Sequence, residues 1–250
     1  MQRDDLISAL DSHLSCGLIK DYCPNGLQIE GTIDVQKITT GVTASQALID
    51  AAIANKSDML LVHHGYFWKG ESAVITGMKQ RRIKSLLDNN INLVAYHLPL
   101  DIHSELGNNA QLAGLLGLEN VQDLPVSPQG IVKMGELAKP LSLQDFTEHV
   151  EACLARPPLS EGHTNRLIQK VALCTGGGQN YIEQAAQAGA DLFLTGEVSE
   201  QTIHFAREND IAFIAAGHHA TERYGVKALG EYIAREFSLS VEFIDIDNPA

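Results

Sequence analysis

The sequence is poor in cysteine, in basic residues and in long apolar runs, and each shortage closes off a class of protein. Its four cysteines, Cys16, Cys23, Cys153 and Cys174, are scattered over 250 residues with no Cys-x-x-Cys pair. Neither a disulfide framework nor a zinc knuckle is indicated, and a reducing, cytoplasmic compartment is expected. Lysine and arginine number 18 against 31 aspartates and glutamates, a formal net charge of −13. Direct nucleic-acid binding and attachment to anionic lipid both need a basic footprint and are not expected, although a local site carrying cations can still attract phosphate. No apolar stretch approaches the roughly 20 residues of a membrane span, and the charged start Met1-Gln2-Arg3-Asp4-Asp5 does not read as a signal peptide. Low-complexity tracts are absent too. With 44% hydrophobic residues, the chain can bury a core as one large domain or two modest ones without staples.

Shifting the sequence by 133 positions lays Lys37-Ile38 on Lys170-Val171, Ile49 on Ile182, Asp58 on Asp191 and Leu61 on Leu194 without a gap. Each copy begins as a short β-rich run (38–42; 171–174) and passes through an Ala-rich helical pattern into a buried strand (59–62; 192–194). Helix and strand follow again, 78–89 then 93–96 in the first copy, 201–208 then 211–216 in the second. The pattern predicts an α/β protein of two similar lobes made of βαβ units with parallel strands. We take 1–125, with an N-terminal helix, as the first lobe and 126–250 as the second. Within the second, 126–166 reads as a connecting subdomain punctuated by Pro128, Pro140, Pro157 and Pro158. It holds a short strand at 131–134 and a helix at 143–155, which Ser142 caps with Asp145 at the third helical position. A helix at 221–236 and an alternating strand at 241–246 close the chain.

Ligand sites in such sheets lie beyond the carboxyl ends of the strands. Three apolar strands end there in donors: His63-His64, then His97 followed by Asp101, and His218-His219. Mixed imidazole and carboxylate donors suit a first-row divalent metal such as Fe, Zn or Mn. Adjacent histidines point apart on a strand, so His63 and His64 serve one site most simply by binding two different ions. His218 and Glu222 are spaced to share a helix face, and Glu222 can bridge two ions with its two oxygens. Pro99 between His97 and Asp101 disfavours a continuous helix and predicts a loop. His97 and His219 read better as hydrogen-bond support than as ligands, while His13, His149, His163 and His204 read as ordinary histidines. The site is expected in the cleft between lobes. Two divalent ions carry +4, of which one Asp and one Glu cancel only −2. That surplus lowers the pKa of water from about 16 towards 7 and welcomes an anionic substrate.

Weaker signals surround this set. Gly176-Gly177-Gly178 follows a strand and can either bind a substrate phosphate through backbone N–H groups or make a tight turn. Glu197, at the position matching His64, is a candidate general base or a plain helix-start charge; His219 is the other candidate proton carrier. Tyr66-Phe67-Trp68 can stack a purine or anchor its loop.

Five ordered motifs carry a resemblance over essentially the whole chain: Asn25-Gly26-Leu27-Gln28, Val62-His63-His64-Gly65-Tyr66-Phe67-Trp68-Lys69-Gly70, His97-Leu98-Pro99-Leu100-Asp101, Thr195-Gly196-Glu197 and Gly217-His218-His219-Ala220-Thr221-Glu222. Together they resemble the NIF-three-like family, also called the GTP cyclohydrolase 1 type 2 homologues, close to its bacterial YbgI-like branch. The resemblance implies a dinuclear centre with ligands His63, His64, Asp101, His218 and Glu222, the last touching both ions. It further implies two similar lobes and a ring-shaped homohexamer, a trimer of dimers. Gly65 stands where many members have proline, and the mid-chain segment is too short for the large insertion of the long members. Family naming points to a GTP cyclohydrolase-like reaction, whereas other members are described as partners of transcription factors or linked to DNA damage. The expectation is a metal-dependent hydrolase acting on a nucleotide or related phosphorylated small molecule; the alternative is a non-catalytic, ring-shaped metal-binding scaffold.

Overall fold

Residues 1–126 and 128–250 are described by the computed structural model; Ser127, inside the segment read as a connection, lies outside the described residues. The strands in chain order are β1 (Gly26–Ile29), β2 (Lys37–Thr43), β3 (Met59–His64), β4 (Asn92–Ala95), β5 (Leu118–Asp123), β6 (Lys133–Ser142), β7 (Leu159–Glu161), β8 (Leu167–Cys174), β9 (Leu192–Thr195), β10 (Ala212–Ala215) and β11 (Ser240–Phe243). Among the described residues they form two sheets, ordered β1-β4-β3-β2-β11 and β5-β6-β8-β9-β10-β7.

The internal echo is visible in both sheets. β2, β3 and β4 run parallel in the first, as do β8, β9 and β10 in the second. Each trio carries a short antiparallel strand outside its third member, β1 on β4 and β7 on β10. β4, β9 and β10 are buried along their whole length, which is why their sequences read as continuous apolar runs instead of alternating ones. Helices supply the cover. In the helix Gln46–Ala54, Ser45 accepts the Leu48 N–H at 3.3 Å as N-cap, and Leu48, Ile49 and Ala52 pack with Leu60, Val62, Ile83 and Leu93 in the first core. The second core gathers Phe146, Val150, Leu154, Ile168, Leu173 and Leu194. Its helix Leu143–Leu154 is capped as expected, Ser142 Oγ accepting the Asp145 N–H at 3.1 Å.

The chain falls into two units, Met1–Leu100 with Gly225–Asp247, and Asp101–Tyr224 with Asn248–Ala250. This partition differs from the expected 1–125 and 126–250 because the helix Arg223–Phe237 carries the chain back to the first sheet, where β11 pairs with β2 in parallel. That strand ends at Phe243, earlier than expected. The expected short strand at 131–134 is instead the ten-residue β6, paired antiparallel with β8. Pro140 lies where the register breaks between Glu136 and Leu141, so an irregularity absorbs a residue that reads in sequence as a terminator. The segment read as a connection is therefore built into the second sheet.

Candidate metal centre

In the first unit, β3 delivers His63 and His64 at its carboxyl end. His63 is fully buried, and its Nδ1 lies 2.9 Å from the Tyr96 carbonyl oxygen. A carbonyl only accepts, so Nδ1 carries the proton, and in the neutral ring Nε2 keeps the lone pair that a metal ligand needs. His64 Nδ1 is 3.3 Å from Thr43 Oγ1 on the neighbouring strand. His97 follows β4, and His63, His64 and His97 each offer a donor nitrogen within 4.8 Å of the others.

His97 is held by Asp21, for which the sequence gives no signal, and by Asn25 of the first motif. Its Nδ1 meets Asp21 Oδ1 at 2.7 Å, and its backbone N–H donates to Asn25 Oδ1 at 2.8 Å. Asp21 also accepts from Tyr22 N, Asn25 Nδ2 and Leu98 N at 2.6, 2.8 and 2.9 Å. Burial by itself would raise this carboxyl, but the hydrogen bond and charge of His97, joined by those of Asn25 and Tyr22, hold it down at about 2. The Asn25-Gly26-Leu27-Gln28 turn thus fastens both histidine segments, since Gln28 Oε1 accepts the Tyr66 N–H at 2.7 Å. A Cβ on Gly65 would strike that same Gln28 oxygen. Of the aromatic run, Tyr66 is buried with its hydroxyl on the Ala44 carbonyl at 2.7 Å. Trp68 stands edge-on to His97 at 4.8 Å and donates to the Gly65 carbonyl at 3.2 Å. These two anchor the loop; Phe67 alone is exposed.

Asp101 lies in a five-residue helix, Leu98–Ile102, and not in the expected loop. Pro99 falls in the first turn, where no intrahelical partner is needed for its missing N–H, so the helix forms around it. The buried Asp101 carboxylate accepts from Asn108 Nδ2 at 2.9 Å. Asn109 Nδ2 donates to the Asp101 carbonyl at 3.2 Å and its Oδ1 accepts the Thr175 N–H at 2.8 Å.

In the second unit, His218 opens the helix His218–Thr221 and Glu222 closes it, placing the pair on one face as the spacing implied. His218 Nε2 is 3.1 Å from Glu222 Oε2, and Nδ1 is 2.7 Å from Glu197 Oε1. Asp101 and Glu222 offer carboxylate oxygens within 4.8 Å of each other. Burial pulls the His218 imidazole down, yet Glu222 and then Glu197 outweigh it and hold the ring at about 9. A ring bracketed by two carboxylates is a place that calls for positive charge, and its nitrogen and oxygen donors fit a first-row divalent ion. Among the described residues Cys174 joins none of the donor groups. Burial pushes its thiol far up, and Asp101 and Glu222 add to the rise.

Gly176 belongs to this site through shape. Its φ is +63°, and a Cβ there would strike Glu222 Oε1 and come within 3.0 Å of His218 Nε2. Its N–H donates to Thr221 Oγ1 at 3.0 Å, and that of Gly178 to Thr195 Oγ1 at 3.0 Å. A Cβ on Gly178 would press on Cys174 Sγ at 2.5 Å, while one on Gly177 would meet only ordinary contacts. Two of its three N–H groups are committed to threonines, an arrangement that suits a tight turn. Glu197 is half-exposed and also receives Gln179 Nε2 at 3.3 Å. His219 is buried, its backbone N–H donating to the Ala250 carbonyl at 3.2 Å. Among the described residues it joins none of the donor groups.

Comparison with known proteins places this geometry. The profile of Duf34/NIF3 (NGG1p interacting factor 3) matches residues 1–249. A Pseudomonas aeruginosa protein called GTP cyclohydrolase 1 type 2 homolog is 57% identical over 246 residues, 98% of this chain and 97% of its own. The Escherichia coli protein of that name is 54% identical with all of both chains covered. The solved structure described as protein ybgI, of unknown function, superposes with a TM-score of 0.96 at 54% identity, again over all of both chains.

Proposed function

The chain belongs to the Duf34/NIF3 family, and from that premise we propose that it is a dinuclear metal-dependent hydrolase of the GTP cyclohydrolase type 2-like class, acting on a nucleotide or related phosphorylated small molecule. The observation that carries the reading is His218 set between Glu197 and Glu222 at 2.7 and 3.1 Å, a ligand oriented from behind by one carboxylate and joined in front by another. In this reading His63, His64, Asp101, His218 and Glu222 hold two divalent ions, Fe, Zn or Mn, with Glu222 shared. When bound, such ions supply positive charge that favours deprotonation of water near neutral pH and attracts an anionic substrate. His97, fixed by Asp21 and Asn25, supports the histidine pair, and Glu197 or His219 moves the proton to solvent.

The test is turnover of a nucleotide panel that includes GTP by purified protein reconstituted with Fe(II), Mn(II) or Zn(II). Wild type is expected to turn over at least one member, and the double variant His64→Ala/Glu222→Ala to lose at least about a hundredfold. Equal turnover removes the proposal. We also place the chain in a ring-shaped homohexamer, a trimer of dimers, to be checked by light scattering behind gel filtration. Should chelation dissociate the assembly while no small molecule turns over, the scaffold reading replaces the hydrolase.

A further inference from the structure

Beside the Glu197–His218 pair the second unit has an open cavity of about 650 Å³, lined by Arg156, Leu159, Gly196, Glu197 and Ala215 among others. Arg156 is the positive group of its wall. The guanidinium lies across Gly217, the residue before His218: a Cβ there would come within 2.6–2.9 Å of Nη1, Cζ and Nε. Gly217 has a φ of +98°, a conformation open to glycine, so the arginine and the ligand helix are fitted to each other. Arg156 Nη2 donates to the Pro249 carbonyl oxygen at 2.6 Å.

In a chain with 31 acidic and 18 basic residues, other arginines find carboxylates: Arg3 meets Glu30, Arg166 meets Asp210, and Arg207 meets Glu161. Arg156 differs from these. Among the described residues its hydrogen-bond partner is a neutral carbonyl, even though the Glu197 carboxylate lines the same cavity. Glu197 is turned to His218 and Gln179 instead. A forked guanidinium on a single carbonyl oxygen, at the edge of an open cavity, is poised to exchange that oxygen for those of an oxyanion.

We propose that Arg156 holds a phosphate group of the substrate, its guanidinium exchanging the Pro249 carbonyl for phosphate oxygens in the cavity beside His218. The assignment rests on the proposed function for the identity of the adjoining centre, and it gives the substrate phosphate a charged side-chain partner in addition to any contact by Gly176 to Gly178. It makes Arg156 a determinant of specificity for phosphorylated over unphosphorylated substrates, without a part in bond breaking.

The experiment measures the Kd of inorganic phosphate by calorimetry for the full-length wild type, Arg156→Ala, Arg156→Lys and Arg207→Ala, each metal-free and after loading with Zn(II), with metal content determined on the same samples. Arg207, ion-paired with Glu161, controls for loss of one positive charge. Arg156→Ala is expected to weaken phosphate about tenfold or more, Arg156→Lys by less, and Arg207→Ala not at all. An unchanged Kd in Arg156→Ala, or an equal loss in Arg207→Ala, overturns the assignment. Should Arg156→Ala fail to fold, equal values for Arg156→Lys and Arg207→Ala count against it in the same way. Failure of the wild type to bind metal overturns the hydrolase reading, while the metal-free titrations still decide the role of Arg156.

Discussion

Asp58 and Asp191, 133 positions apart, make the same pair of hydrogen bonds in the two sheets. Oδ2 of Asp58 accepts the N–H groups of Gln36 and Lys37 at 2.8 and 2.9 Å, and Oδ2 of Asp191 those of Gln169 and Lys170 at 3.0 and 2.8 Å. Each aspartate then donates its own N–H to the carbonyl of that lysine at 2.8 Å. The carboxylate therefore fixes the point where parallel pairing begins, just before Ile38 pairs with Met59 and Val171 with Leu192. Asp58→Ala and Asp191→Ala are each expected to lose about 1–3 kcal/mol, and the Asn variants less because one acceptor oxygen survives. Urea titration measures it, and a variant as stable as wild type in either half would remove the equivalence.

Gly176 joins a backbone requirement to a steric one, and a second glycine separates the two. Gly176→Ala places a Cβ against the Glu222 carboxylate at a positive φ, whereas Gly189, with φ +80°, has nothing within 4 Å of an added Cβ. Both alanine variants are expected to lose about 1 kcal/mol from backbone strain. Only Gly176→Ala should also weaken metal binding, by at least about tenfold, as read by competition with a chromophoric chelator. Equal metal affinity in the two variants would detach Gly176 from the centre.

How much of this was legible in sequence follows the range of the forces involved. The parallel trios were readable because burial on both faces demands unbroken apolar runs such as Met59 to Val62 and Leu192 to Leu194. The approach of His218 to Glu222 was readable because four residues make one helical turn. The local structure around Asp101 is harder to read, because Pro99 looks like an interior proline in sequence while its place in the first turn depends on where the helix starts. Asp21, Asn108 and Asn109 give no signal, since lone polar residues have no periodicity and they hold distant segments, Asp21 reaching Leu98 and Asn109 reaching Thr175, 77 and 66 positions away. The return of β11 to β2 was hidden for a similar reason: four residues of alternating burial do not name their neighbour.

Asp21 offers a test with a definite sign in pH. Its folded-state pKa of about 2 lies below the ordinary carboxylate value of about 4, so the ionised form stabilises the fold. That contribution is complete above about pH 4 and is lost as pH falls through about 2. Asp21→Asn puts an amide N–H group where every neighbour donates, and should lower stability by about 2–3 kcal/mol at pH 7. The urea midpoints of wild type and variant are expected to stay apart between pH 5 and 7 and to converge below pH 4. A gap that does not narrow on acidification would show that the carboxylate charge is not what holds the His97 segment.

Glu197 admits two roles that one variant tells apart. Its oxygen on His218 Nδ1 raises the basicity of that ring and fixes its tautomer. If this is its work, Glu197→Gln should weaken metal binding about 10–100-fold. Because the side chain is 47% exposed, the fold should change by no more than about 0.5 kcal/mol. If Glu197 instead carries the proton released in hydrolysis, metal affinity should hold while kcat falls about 10²–10⁴-fold. Chelator competition and steady-state kinetics on the same preparation separate these outcomes. The 2.7 Å contact of Oε1 with His218 supports the first, while Oε2, held by Gln179 at 3.3 Å, keeps acceptor capacity for the second. Loss of neither affinity nor turnover would reduce Glu197 to a charge at the start of the segment after β9.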